Sequence, residues 1–332
     1  MIKNKIQKNL FLSVIICTYN RSKLLRECIS SVLPQLEGNT NSIVNLIIVD
    51  NNSTDDTYTI VKSFNSPKIE YVFEKKQGLS FARNEGYQST NSEWVAYLDD
   101  DALAADNWIK RIFWLIENTD FDAFGGIYSP WYRDGKPSWY LDEYATNKTW
   151  MKYTEVTLLE KQRFSGGNCA FRRKLLDDVE GFPTYLGMKG CVTAYGEEAL
   201  VQEQLRQKGY KLGFDPDLLI KHYVAPYKQT TSWFFKQSKA LGASYWLSHN
   251  TEPSWTELFL VMRSIPLIMI GNIKISIIKL LKKEYRFTNT YILVGKSMVF
   301  LYSKLISGVK QKIYTSHKEK YKQDKGKVNE QQ

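Results

Sequence analysis

Histidine and cysteine are scarce in this chain of 332 residues. Three histidines, His222, His249 and His317, leave no basis for a multi-histidine metal site. The four cysteines (Cys17, Cys28, Cys169 and Cys191) show no Cys-x-x-Cys spacing. That argues against a disulfide framework or a zinc site and makes reduced cytosolic thiols the expectation. No uninterrupted apolar run reaches the ~18 residues of a membrane-spanning helix. An N-terminal apolar run, residues 10–17, follows Lys3, Lys5 and Lys8 as in a signal peptide. It ends in Thr18-Tyr19-Asn20-Arg21, with no small-residue cleavage site, so a buried first strand is expected there. Internal repeats are missing too. The composition, 43% hydrophobic and 24% charged, is that of a globular protein and excludes a disordered, collagen-like or polytopic membrane chain.

Net charge is absent from most of the length. The total is +10, yet the first 262 residues hold 30 basic and 31 acidic groups, whereas residues 263–332 hold 15 basic and four acidic ones. A neutral body with a basic C-terminal part attracts polyanions. No recognised nucleic-acid module accompanies the charge, so an anionic membrane surface is the expected partner and nucleic acid is not. Segments 259–281 and 291–306 are apolar, and lysines and Arg263 break this region. That is the pattern of amphipathic helices lying on a charged leaflet. Helices packed on the rest of the chain or on another subunit would show it equally. From about 316 onward the sequence reads as a solvated, disordered end.

What is present first is an alternation. Residues 13–17, 43–49, 69–73 and 94–98 read as buried strands. Helices are expected at 23–36, after the turn Asn52-Ser53-Thr54-Asp55, and at 78–87. Strands recurring with helical connections point to a parallel, doubly wound α/β sheet, which binds ligands at the carboxyl ends of its strands. Polar clusters fall at those ends: Thr18-Tyr19-Asn20-Arg21, Asp50-Asn51-Asn52 and Asp99-Asp100-Asp101. Beyond Asp122 the pattern changes. Eight aromatics lie between Tyr128 and Tyr153, Trp131 and Trp139 among them, in a stretch fit either to stack on sugar rings as a lid or to pack an irregular core. A helix is expected at 196–208 with Gly209 as its C-cap, then a strand at 210–214 and a helix at 230–247.

Several residues carry chemistry. Asp99 and Asp101 can offer hard oxygen ligands to Mg²⁺ or Mn²⁺; an acidic turn capping the next helix is the plainer reading. Asp50 at a strand end can accept from a pyrimidine N3–H or a ribose hydroxyl. Tyr19 can stack on a base and Arg21 contact a phosphate. Arg83 falls in the first turns of a helix opened by Gly78 and can sit over a diphosphate, aided by that helix N-terminus.

In order along the chain stand TYNR at 18–21, DNNSTDDT at 50–57, GLSFARNEG at 78–86, LDDDA at 98–102, SGGNCAFRR at 165–173 and GEEALVQEQLRQKGYKLGFDPDLLIKH at 196–222. Together they resemble the family 2 glycosyltransferases, inverting enzymes of the GT-A fold, over roughly Leu12 to Trp246. The resemblance implies a GT-A catalytic domain, built on a doubly wound, mostly parallel sheet, at 1–250; the apolar and charge pattern beyond it marks an amphipathic helical region at 251–315 and a basic, disordered tail at 316–332. It implies that Thr18, Tyr19 and Asp50 cradle a nucleotide, usually uridine, with Arg21, Arg83, Asp99 and Asp100 on the nucleotide-sugar side. Asp101, Asp99 and His222 would hold the metal, Mn²⁺ or Mg²⁺. Gly166, Gly167 and Asn168 would line the sugar and acceptor side of the cleft.

Gly196-Glu197-Glu198 matches the family's acidic helix start, where Glu-Asp is more usual. Glu198 stands at the position of the catalytic base, and the departure leaves Glu197 as the other candidate. The implied reaction is a single displacement by an acceptor hydroxyl, turning a UDP-α-sugar into a β-linkage. The acceptor would be a glycan or a lipid-linked molecule at the cytoplasmic membrane face, in cell-surface polysaccharide assembly. The Gln-x-x-Arg-Trp motif of processive synthases is absent, so one sugar per encounter is expected. The alternatives are a non-catalytic nucleotide-sugar-binding membrane scaffold and a nucleotidyltransferase, which would carry a Gly-rich N-terminal loop.

Overall fold

The computed structural model describes residues 11–37, 43–190 and 192–329. Cys191, the N-terminal lysines and the side chains of 316–332, where a disordered tail is expected, lie outside that description. The chain divides into two compact units. One comprises Met1–Gly135, Leu141–Val192 and Glu197–Ala225; the other comprises Lys136–Tyr140, Thr193–Gly196 and Pro226–Gln332.

The first unit is built on a nine-stranded sheet. Its parallel half comes from β1 (Phe11–Thr18), β2 (Ile43–Asp50), β3 (Ile69–Phe73) and β4 (Trp94–Leu98), in the order β3-β2-β1-β4. β1, β2 and β4 are largely apolar because central parallel strands are covered on both faces, whereas β3, at the edge of the sheet, carries exposed Glu70 and Phe73. Alternate side chains of β1 go to opposite layers. Leu12, Val14 and Ile16 pack with α1 (Ser22–Glu37) and α4 (Trp108–Asn118), whereas Ile15 packs with α3 (Leu79–Gln88) and α6 (Glu197–Gln207). The helix α1 has its buried residues at Leu25, Cys28, Ile29, Val32, Leu33 and Leu36, the 3–4 spacing of a one-faced helix. Ser13, buried within β1, is tied by its hydroxyl to Asn45, Thr90 and Ser92.

The other half of the sheet is mixed. Between β4 and β6 (Ala123–Trp131) lies β8 (Asn168–Arg172), antiparallel to both. Next to β6 runs β9 (Leu212–Tyr223), parallel to it with a register shift at Gly126/Ile127. The far edge is β5 (Ala102–Ala104), antiparallel to the end of β9, and the two-residue β7 (Thr157–Leu158) pairs with the start of β9. The sheet is thus mixed and mostly parallel, as the GT-A resemblance implies, and the strand expected at 210–214 runs on through His222. The short helices α2 (Thr57–Ser63) and α5 (Arg173–Asp178) complete this unit.

The second unit contains three long helices: α7 (Thr231–Ser248), α8 (Trp255–Leu281) and α9 (Phe287–Asn329). A capping box between Ser254 and Glu257 starts α8. Within the unit α9 packs on both α7 and α8. The α8–α9 seam carries a polar pair, Asn272 Nδ2 donating to Ser297 Oγ at 2.9 Å. Outward, α8 is almost uncovered, presenting Trp255, Phe259, Leu260, Leu267, Ile270 and Ile277. Both α8 and the 287–315 stretch of α9 are long and apolar enough to cross a membrane.

Candidate active site

The buried strand β4 delivers Asp99, Asp100 and Asp101 to the carboxyl end of the sheet. Directly after them β5 pairs with the end of β9, setting Ala102 opposite His222, and the Tyr223 amide donates to the Asp101 carbonyl at 2.8 Å. Strand pairing therefore brings an imidazole 121 positions away in sequence onto the acidic turn. His222 Nε2 stands 3.1 Å from Asp101 Oδ1 and 3.6 Å from Asp99 Oδ2. One ligand atom from each of the three lies within 4.8 Å of the others. Two carboxylates and one imidazole suit a divalent ion of the Mn²⁺ or Mg²⁺ kind. Burial pushes the Asp99 carboxyl up, but the hydrogen bond and charge of His222, together with Arg83, hold it below its usual value. The ring of Tyr128 lies 5.9 Å from that of His222, and the exposed Trp150 meets Tyr128 edge-on at 6.3 Å.

Gly167 lies against Asp99. The Asp99 amide donates to the Gly167 carbonyl at 3.2 Å, and a Cβ at Gly167 would come within 1.9 Å of Asp99 Oδ2. Gly166 gives the same room to Arg83, whose guanidinium a Cβ there would approach to 2.7 Å. Both glycines thus lie against Asp99 and Arg83, and what they admit is those side chains.

Asp100 turns away from the triad. Its Oδ2 accepts from Thr18 Oγ1 at 2.8 Å and its Oδ1 from Arg21 Nη1 at 2.9 Å; that same Nη1 also reaches Asp101 Oδ2 at 3.0 Å. Burial raises the Asp100 carboxyl above its usual value, Arg21 opposing and Asp101 adding to it. Thr18 is therefore buried against the acidic turn, whereas Arg21 keeps 35% of its side chain exposed. Tyr19, half-buried, stands at the same strand end. Asp50 accepts from the Ser53 amide at 2.8 Å and from Tyr71 Oη at 2.7 Å. Tyr71 is not apparent from sequence motifs. Strand register finds it: Asp50 pairs with Phe73 on β3, and Tyr71, two residues earlier, shares its face.

Arg83 is 4% exposed, and its surroundings differ from the expected diphosphate cradle. Nη1 donates to Glu197 Oε1 at 2.8 Å, Nη2 lies 3.9 Å from Asp99 Oδ1, and the guanidinium covers the Phe182 ring at 5.3 Å. The N-terminus of α3 is occupied as well: the Gly78 amide donates to Asn51 Oδ1 at 2.7 Å and the Leu79 amide to the Met188 carbonyl at 2.8 Å. At the head of α6, Glu197 is 4% exposed and Glu198 half-buried. The Oε2 of each is buried and accepts no hydrogen bond from the N–H groups or hydroxyls of the described residues. Burial first, then the neighbouring Glu198, raises the Glu197 carboxyl to about 8, against the pull of Arg83.

Three expected cleft residues are engaged with partners of their own. Asn168 is fully buried, accepting from Trp108 Nε1 at 2.8 Å and donating to the carbonyls of Ile127 and Leu218 at 3.0 and 2.8 Å. Its amide is spent joining strands, not facing the cleft. Trp131, at the end of β6, packs edge-on against Tyr223. Trp139 belongs to the second unit, where it packs on Tyr140 and Phe234 and its carbonyl accepts from Asn289. The aromatic stretch therefore splits between units, and Trp139 serves a core.

The family described as Glycosyl transferase family 2 matches residues 13–180. Among similar proteins, a glucosyl-dolichyl phosphate glucuronosyltransferase of Haloferax volcanii is 25% identical over 237 residues, covering 68% of this chain and 73% of its own. Glycosyltransferase AglE of the same organism is 26% identical over 232 residues, with coverages of 69% and 72%. In fold the chain is similar to the mannosyltransferase PcManGT from Pyrobaculum calidifontis, solved in complex with GDP-Man and Mn²⁺. The TM-score is 0.61 at 17% identity, over 90% of this chain and 86% of that one. With a match over half its length, a GT-A-type sheet and an Asp-Asp-His cluster at the carboxyl end of that sheet, the chain belongs to glycosyltransferase family 2.

Proposed function

We propose that this glycosyltransferase moves one sugar, with inversion, from a nucleotide-diphosphate sugar to a hydroxyl of a glycan or lipid-linked acceptor. A UDP-sugar is the donor put forward. The observation that carries the reading is the convergence of Asp99, Asp101 and His222 on one point of the sheet end, in the unit that also holds Glu198. These three would hold Mn²⁺ or Mg²⁺, which when bound supplies positive charge against the departing diphosphate. Tyr19 and Arg21 at the end of β1, with Asp50 steadied by Tyr71, would receive the nucleotide. Glu198 takes the proton from the acceptor hydroxyl, and the oxygen attacks the anomeric carbon from the face opposite the nucleotide. One displacement inverts that carbon, so a UDP-α-sugar yields a β-glycoside.

The known proteins support the two ends of this reading. A dolichyl-phosphate-linked acceptor appears in the name of the glucuronosyltransferase relative, and a nucleotide sugar with Mn²⁺ is bound in the mannosyltransferase structure. The uncovered apolar surface of α8, carrying exposed Arg263 and Lys274, supports peripheral placement on the cytoplasmic face of an anionic membrane.

Thermal-shift and nucleotide-release assays over UDP-, GDP- and dTDP-sugars, with Mn²⁺, Mg²⁺ or EDTA, test the proposal on the full chain and on Asp101→Asn. Metal-dependent stabilisation by one UDP-sugar, with nucleotide release lost in the variant, is the expected result. Stabilisation by a GDP- or dTDP-sugar instead overturns the donor assignment. Undiminished release in EDTA overturns the metal's role.

A further inference from the structure

Glu197 and Glu198 stand side by side at the head of α6, and residue type does not separate them. Their surroundings do. Glu197 is walled in: Arg83 Nη1 donates to its Oε1 at 2.8 Å, and Gly187 passes so close that a Cβ there would lie 3.0 Å from its carboxyl group. Arg83 is walled in equally, between the Phe182 ring and the Gly166 backbone, with its second nitrogen 3.9 Å from Asp99 Oδ1. A buried guanidinium stays in place only while its hydrogen bonds are met. Glu197 meets one, and the direct pull of Arg83 on Asp99 is thereby kept at a longer range.

We infer that Glu197 is a positioning residue and not the base: through Arg83 it sets the distance between the acidic turn at Asp99 and the proton-accepting Glu198. The inference deepens the proposed function and rests on Glu198 being the base. The raised acidity range of Glu197 agrees, since a carboxyl still holding its proton at neutral pH is a poor proton acceptor. Without Glu197, Arg83 is free to close onto Asp99 and compete there with a cation.

The test uses the full chain and four variants, with Mn²⁺ alone titrated by calorimetry and turnover measured with the donor and acceptor that the wild type uses. Glu197→Gln keeps an oxygen that accepts from Arg83, so Mn²⁺ affinity and kcat should stay within about tenfold of wild type. Glu197→Ala releases Arg83 and should weaken Mn²⁺ at least fivefold and lower kcat by about a hundredfold. Glu197→Asp, which keeps a carboxyl group but falls short of Arg83, should lie between them and stands in if the alanine variant fails to fold. Glu198→Gln should abolish turnover while leaving Mn²⁺ affinity unchanged.

Glu197→Gln as inactive as Glu198→Gln would make Glu197 the base and overturn the inference. Wild-type Mn²⁺ affinity in Glu197→Ala, or in Glu197→Asp where that stands in, would overturn it also. Turnover surviving in Glu198→Gln would instead refute the base assignment under the proposed function, while the Mn²⁺ titrations still decide the role of Glu197.

Discussion

Asp100 shows how residue identity and residue role come apart. Its two neighbours face the His222 ring, while Asp100 itself turns back to fix Thr18 and Arg21. Three consecutive aspartates at a strand end were legible as an acidic turn, and their residue types suit a metal. Which carboxylate faces which way depends on partners 79 and 82 positions away, and no local pattern encodes those. Arg83 and Glu197, 114 positions apart, are the same case: each was visible as a candidate and their pairing was not. At this scale pH is the accessible probe. The Glu197 carboxyl is raised from 4.5 to about 8, so the folded chain holds that proton more tightly than the unfolded chain. Its stabilisation is complete below pH 4.5 and is lost as pH rises through 8. Without metal or donor, the Tm of wild type relative to Glu197→Gln should therefore fall between pH 5 and pH 8. A constant difference over that range would contradict the shift.

At the scale of elements, the legible part is the one whose strands are buried on both faces. In β1, β2 and β4 burial writes itself as apolar runs broken only by single polar residues such as Ser13 and Asn45, and α1 and α3 follow with regular spacing. The mixed half hides for physical reasons. Two glycines and a proline interrupt β6, while β8 opens on a polar asparagine. The middle of β9 reads Asp215-Pro216-Asp217, which looks like a turn; here it coincides with the register shift against β6. Asn168 carries the cost of this arrangement, since its side chain ties β8 to β6 and β9 and holds the α4 indole of Trp108. Replacing Asn168 with alanine leaves one donor and two carbonyls to find other partners. At ~1 kcal/mol or more for each unmet group, a loss of about 3 kcal/mol is expected by urea denaturation. A loss below about 1 kcal/mol would show that water or repacking satisfies them.

For the whole molecule, the charge imbalance and the apolar exterior occur in the same unit. Along α8, about 40 Å long by its residue count, Arg263 and Lys274 are three turns apart and exposed on a mostly apolar helix. Charge reversal at both should lower binding of the full chain to phosphatidylserine-containing vesicles by tenfold or more, at ~1 kcal/mol per basic residue near the surface. Binding to neutral vesicles should change little, and 1 M salt should reproduce the loss. Unaltered co-flotation of the doubly reversed chain would rule out a charged leaflet as the partner. The aromatic ladder beside the acidic turn has a different consequence. Trp150 touches Tyr128, which touches His222, so a paramagnetic ion arriving at His222 stands two rings from a solvent-facing indole. The protein has a built-in optical gauge of occupancy: Mn²⁺ should quench part of its fluorescence, Mg²⁺ should not, and Trp150→Phe should remove the difference.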